Sequence, residues 1–227
     1  MKPYSVPLFN RICRRIFRPL FRLLFHALSS VKVIGRENIP KGKAYIINMN
    51  HVSLYDPPLL IAFWPTPPEG VAAIDVWRKP GQGLVARIYA SIPVHRGEYD
   101  RKATDTMIAA LNSGRPLLLA PEGRRSHGHG MQRAMPGVAY LVDKTNVPVI
   151  PVGVAGTTDD FFDRAIHLRR PKVEIHIGKP IILPAVEGKG AVRREALQAN
   201  ADRIMREIGA LLPAEYRGVY QPTEESE

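Results

Sequence analysis

Apolar and polar positions along this chain alternate between two periods. Short runs of aliphatic residues recur at 44–49, 71–75, 91–95, 116–120, 148–154 and 172–178, bounded by Gly, Pro or charged residues, as buried strands are. Between them, segments 8–28, 57–64, 99–113, 137–145 and 191–212 carry apolar residues at helical spacing, the last dense in Ala, Leu, Ile, Arg and Glu. The alternation predicts an α/β fold: a single domain built on a mixed, mostly parallel sheet flanked by helices. In open sheets of that kind reactive side chains gather at strand ends.

The first segment has a different character. Arg11, Arg14, Arg15, Arg18 and Arg22 recur on one side, and Leu8, Phe9, Ile12, Ile16, Leu20, Leu23 and Leu24 fall on the other. The pattern predicts that residues 1–30 form a basic amphipathic helical segment lying on a membrane surface, its arginines meeting anionic headgroups. Pro19 removes one backbone hydrogen bond and is expected to interrupt the helix. The segment is not expected to span a bilayer, because its longest piece without Lys or Arg, Leu23 to Val31, falls far short of the roughly 20 residues required. Charge interspersed among its apolar residues also argues against a secretory signal. Residues 31–220 then make up the domain, and the polar, acidic tail 221–227 is expected to be disordered.

Charge and composition narrow the possibilities. The net charge is +11, yet residues 1–36 hold eight Lys or Arg and no acid, which leaves 24 basic against 21 acidic residues in the remainder. That near balance argues against a nucleic-acid-binding domain; the basic excess belongs to the N-terminal segment, which is expected to hold the protein, peripheral or monotopic, on the cytoplasmic face of a membrane. The single cysteine, Cys13, excludes an intramolecular disulfide and fits a reducing compartment. His127 and His129 flank Gly128 without a carboxylate or cysteine in company, a poor metal set, so no metal is expected.

The chemistry centres on Asn50-His51-Val52-Ser53-Leu54-Tyr55-Asp56-Pro57. A hydroxyl is a weak nucleophile until a base removes its proton, and imidazole suits that task near neutrality. A carboxylate bonded to one ring nitrogen fixes the tautomer and leaves the other free. On a continuous helix, residues five apart are rotated by about 140° and diverge, so His51 and Asp56 can meet only on a turn. The flanks supply one, with the strand-like run 44–49 before His51 and, after it, Asp56 as the expected N-cap of a helix that opens on Pro57 and Pro58.

A second block, Pro121-Glu122-Gly123-Arg124-Arg125-Ser126, follows the apolar run Leu117-Leu118-Leu119-Ala120. With Ile92-Pro93-Val94-His95-Arg96-Gly97 and Val147-Pro148-Val149-Ile150-Pro151-Val152 it completes four blocks, in order, within residues 44–157. In these the chain resembles the 1-acylglycerol-3-phosphate acyltransferase family of glycerolipid acyltransferases, marked by a histidine and aspartate at this spacing and by Pro-Glu-Gly-Thr-Arg-Ser. Arg124 stands where that family usually has Thr. Met135, ahead of Pro136-Gly137, stands where it often has Lys.

The resemblance implies acyl transfer from a thioester of coenzyme A or acyl carrier protein to a lysophospholipid hydroxyl, with no bound cofactor. His51 would be the base and Asp56 its orienting partner. A phosphomonoester is best met by guanidinium forks, so Arg96, Arg124 and Arg125 are the candidate phosphate ligands. Glu122 would orient those arginines or accept from the glycerol, with Gly123 permitting close approach. Backbone amides just after His51 or near Gly123 are the candidate oxyanion donors. The two departures keep open another lysophospholipid, glycerol 3-phosphate or an amino-acid lipid as acceptor, and a non-catalytic basic protein binding membrane or nucleic acid remains the alternative from another class.

Overall fold

In a computed structural model, which describes residues 4–222 apart from 98, 127 and 129, the apolar runs become strands of one seven-stranded sheet. In chain order the elements are α1 (Leu8–Leu28), β1 (Ser30–Ile34), β2 (Ile46–Met49), α2 (Asp56–Phe63), β3 (Glu69–Ala73), α3 (Gln82–Tyr89), β4 (Ile92–Val94), α4 (Arg101–Asn112), β5 (Leu117–Leu119), α5 (Gly137–Thr145), β6 (Val149–Ala155), α6 (Phe161–Ile166), β7 (Lys172–Ile177) and α7 (Gly190–Ala210). The spatial order is β1-β7-β6-β2-β5-β3-β4. The pairings are parallel except β6 with β7, so the sheet is mixed and mostly parallel, with helices on both faces.

Central strands of such a sheet are covered on both sides, which is why their sequences are mostly apolar. Ile46 lies level with Leu117 and Val149 and joins the core beneath α4, α5 and α7, including Met107, Val138 and Ile204. Ile47, level with Leu118 and Ile150, points the other way, toward Phe25, Leu59, Leu60 and Phe63 of α1 and α2. The C-terminal ends of β2, β5 and β4 thus share one edge, with His51, Glu122 and Arg96 following them.

Several expectations need correction. The strand expected at 71–75 begins at Glu69, and residues 74–78 turn into a 3-10 helix instead. β1 escapes detection because it is an edge strand with alternate exposed residues, as do α3 behind Pro80-Gly81 and the short α6 behind Thr157-Thr158-Asp159-Asp160. α1 runs unbroken through Pro19. Of the tail, residues 223–227 lie outside the described residues.

The largest correction concerns which way α1 faces. Arg14 is buried, with a guanidinium that donates to both oxygens of the fully buried Glu69 at 2.9 and 2.7 Å, and to the carbonyl of Tyr89. Tyr4 and Arg115 complete the shell around Glu69. Burial pushes the Glu69 carboxyl up, but the hydrogen bonds and charge of Arg14, helped by Tyr4 and Arg115, outweigh it and hold the group below its usual range.

Arg18 and Arg22 donate to the carbonyls of Ile61, Ala62, Trp64 and Pro65, where the end of α2 leaves acceptors without helical partners. These three arginines hold the helix to the domain rather than meeting headgroups. Their anchoring at three successive turns accounts for the continuity through Pro19. The apolar side is turned outward: Leu8, Phe9, Ile12, Ile16, Leu20, Leu23 and Leu24 are exposed along about 24 Å of helix. No helix among the described residues is long and apolar enough to cross a membrane.

Candidate active site

β2 ends at Met49, and the next residue extends its pairing by other means. The buried Asn50 side chain donates to the carbonyl of Val154 at 2.9 Å and accepts from its N–H at 2.7 Å, imitating a ladder pair with β6. The main chain is thereby released to turn at a defined point, and His51 stands at the sheet edge with its side chain 15% exposed.

Asp56 faces it with Oδ2 3.0 Å from His51 Nδ1. The same oxygen accepts from the amides of Val52 at 2.9 Å and Ser53 at 2.7 Å, closing the turn into a ring around the carboxylate. Asp56 is therefore the first residue of α2, and its side chain reaches back along the loop instead of capping the helix as the sequence suggests. Oδ1 accepts from Thr157 Oγ1, a residue the sequence does not single out. No described residue bonds His51 Nε2, so the nitrogen away from Asp56 is open to a substrate proton. Because Val52 and Ser53 spend their amides on Asp56, and Gly123 donates to Ala120, these candidate oxyanion donors are already engaged.

The loop after β5 grips His51 by its backbone. Glu122 Oε1 accepts from the His51 N–H at 2.9 Å, and the Ser126 N–H donates to the His51 carbonyl at 2.8 Å. Glu122 Oε2 accepts from the Gln132 amide at 2.8 Å. Buried and bonded to main chain through both oxygens, Glu122 braces the His51 loop and does not orient arginines, a correction to the sequence expectation. Burial pushes its carboxyl up to about 7, against the two amide bonds and His51, which favour the anion. Gly123 takes φ +67°, which a side chain would resist, and Met135 lies against it, within 3.5 Å of where a Cβ would stand.

Arg124 is exposed and Arg125 half-buried on this same loop, one strand from His51. Arg96 lies farther off, since β4 is three strands from β2, about 14 Å at the usual strand spacing. Its turn is closed by a second His–Asp pair of the same spacing that sequence reasoning overlooked. Asp100 Oδ2 is 2.8 Å from His95 Nδ1 and accepts from the His95 N–H, while Oδ1 caps α4 through the Ala103 amide. The Ala103 amide first, then His95, hold the Asp100 carboxyl down to about 2. A cavity of about 420 Å³ lies beside this pair, lined by Ile74, Ile92, Pro93, Lys102 and Thr106 among others, on the edge strand and not at His51. His127 and His129 lie outside the described residues.

A histidine at a strand end, paired with an aspartate and braced by a buried glutamate, lies within a mostly parallel α/β sheet. Residues 30–155, more than half of the chain, match the family model described as Acyltransferase, and the chain belongs to that family. It is 29% identical over 154 residues to the 1-acyl-sn-glycerol-3-phosphate acyltransferase of Borreliella burgdorferi, a match covering 66% of this chain and 62% of that protein. Uncharacterized proteins of Mycobacterium bovis and Mycobacterium tuberculosis are 29% identical over 157 residues, covering 63% of this chain and 42% of theirs. The chain thus spans less than two thirds of the length of these relatives. Among solved structures, the 1-acyl-sn-glycerophosphate acyltransferase PlsC of Thermotoga maritima superposes with a TM-score of 0.58 at 25% identity, covering 86% of this chain and 78% of that one.

Proposed function

We propose that this chain transfers an acyl group from a thioester of coenzyme A or acyl carrier protein to the free hydroxyl of a 1-acylglycerol 3-phosphate, forming phosphatidic acid. The observation that carries the reading is the 3.0 Å contact between His51 Nδ1 and Asp56 Oδ2, with Nε2 directed away from it. Nε2 removes the hydroxyl proton as the oxygen attacks the thioester carbonyl, and Asp56 supports the imidazolium that forms. Collapse of the tetrahedral intermediate expels the thiolate, which recovers the proton from His51. No covalent acyl-enzyme is needed.

Arg125 and Arg124, one strand away, bind the acceptor phosphate. Arg96, exposed just past the edge strand, supplies a third cation, and together they position the hydroxyl. Met135 against Gly123 places a thioether where the family often has a lysine; this favours, as a second reading, the same chemistry on a lysophospholipid with a different headgroup. The outward Leu, Phe and Ile row of α1 supports a peripheral or monotopic position on the cytoplasmic face of a membrane, held by apolar burial rather than by the α1 arginines. The decisive experiment is thioester consumption by purified protein across a panel of lysolipids, glycerol 3-phosphate and amino-acid lipids. Turnover with no phosphate-bearing acceptor refutes the reading.

A further inference from the structure

α6 and the turn after it present an apolar surface that neither the core nor the chemistry uses. Phe162 and Ile166 are each 51% exposed and lie one helical turn apart, on one face. Leu168, 77% exposed, follows in the left-handed region at φ +57°, an uncommon conformation for a non-glycine residue, and stands out from the turn. Arg169, Arg170 and Lys172 come next, all exposed.

This surface is joined to both α1 and the catalytic loop. Phe161, buried, sets its ring 6.3 Å from that of Phe25 of α1 and 5.1 Å from that of Tyr55. The Phe162 ring stacks on Tyr55 at 6.3 Å and 10°, and Tyr55 stands between His51 and Asp56 in sequence. Thr157, four residues before α6, donates to Asp56, and Arg170 donates to the carbonyl of His26 near the end of α1. Leu54, also exposed, precedes Tyr55.

We propose that Phe162, Ile166 and Leu168 form a second membrane-inserting element, a lip at the mouth of the His51 site, whose partner is the acyl region of an anionic phospholipid leaflet. It rests on the reading of the chain as an acyltransferase acting on a membrane-borne lysolipid. Three things favour a leaflet over a protein. The patch adjoins the last turns of α1, where Leu20, Leu23 and Leu24 are exposed as well. Arg169 and Lys172, both exposed, follow it closely, as an apolar tip below charged headgroups requires. Its three side chains offer a few hundred Å² on the order of magnitude, well short of the roughly 800 Å² per partner that a stable protein complex buries, whereas lipid needs no matching surface. A lip here brings the leaflet to the catalytic loop, so that a lysolipid headgroup reaches His51 while its acyl chain stays in lipid.

The test uses the full chain and vesicles of phosphatidylcholine and phosphatidylglycerol. In Phe162→Trp, tryptophan emission is expected to shift to the blue on vesicle addition and to be quenched by lipids brominated on the acyl chain, beyond any change in the wild type. In Ile166→Ser/Leu168→Ser, kcat/KM on vesicle-borne long-chain lysophosphatidic acid is expected to fall at least about 10-fold and on a monomeric short-chain analogue to stay within about twofold. Emission from the Phe162→Trp variant that changes no more than the wild type's, under conditions where the wild type sediments with vesicles, overturns the lip. So does an equal loss on both acceptors, which assigns these residues to the folded site. Self-association of the wild type that the double variant abolishes overturns it in favour of a second copy. Should the wild type turn over neither acceptor, the acyltransferase reading fails, and the emission measurement still decides the lip.

Discussion

Glu122 Oε1 accepts the backbone N–H of His51 at 2.9 Å across 71 residues of chain, which couples the ionisation of a buried carboxyl to the position of the candidate base. Burial raises that carboxyl from 4.5 to about 7. Between these values the folded state keeps a proton that the unfolded chain has lost, so this group's stabilisation is complete below about pH 4.5, declines as pH rises and is gone above about 7. The wild type is therefore expected to lose stability relative to Glu122→Gln across that window, by up to ~3 kcal/mol. Urea unfolding of both proteins from pH 4 to 8 measures it, and parallel curves would contradict the linkage.

The base and its supports should separate by kinetics. His51→Ala is expected to lower turnover by about 10² to 10⁴-fold with the fold intact. Asp56→Asn should be severely impaired as well, because an amide cannot support the imidazolium in the same way. Thr157→Val removes the donor to Asp56 Oδ1. It should lower kcat by roughly 10-fold with little change in acceptor KM, the signature of a positioning residue. A wild-type rate in His51→Ala would remove the pair from the mechanism.

Phosphate binding should respond at the arginines. Arg125→Ala and Arg96→Ala each remove a charge-assisted donor, so the acceptor KM is expected to rise more than the donor KM, with Lys restoring only part. Initial rates with each substrate varied in turn decide it. A rise confined to the thioester KM would assign these arginines to the coenzyme A side.

Stability should depend on the inward side of α1. Arg14→Ala leaves Glu69 buried without its bidentate partner and is expected to cost about 3–5 kcal/mol in denaturant unfolding. Arg14→Met/Glu69→Met removes both charges together and should recover much of that loss. If the double variant were no more stable than the single one, packing and not charge would account for the effect.

Membrane attachment should depend on the outward side. Phe9→Ser/Ile16→Ser/Leu23→Ser is expected to abolish co-sedimentation with vesicles while leaving the unfolding midpoint nearly unchanged, since all three residues are exposed. Moderate salt should weaken wild-type binding only partly, because apolar burial is not screened. Full release by moderate salt would identify an electrostatic attachment.

Local features of this site were legible because they are local. The His51–Asp56 pair closes within a six-residue turn, so spacing and flanking prolines suffice to place it, and the buried central strands declare themselves as apolar runs. The edge strand β1 and the short α3 and α6 were not legible, since half-exposed or brief elements carry too little period to stand out from loops.

Residue order alone makes α1 amphipathic, lets a histidine and an aspartate meet after a strand, and puts arginines after two others. Which face of α1 turns inward depends on long-range packing. That choice rests on Glu69 and on the carbonyls closing α2, acceptors 40 to 55 residues away whose burial cannot be read from the helix. Long-range packing likewise makes Glu122 brace His51 and Thr157 hold Asp56, across 71 and 101 residues. Periodicity encodes which residues share a face, but the partner of that face is set by how distant strands order themselves in the sheet.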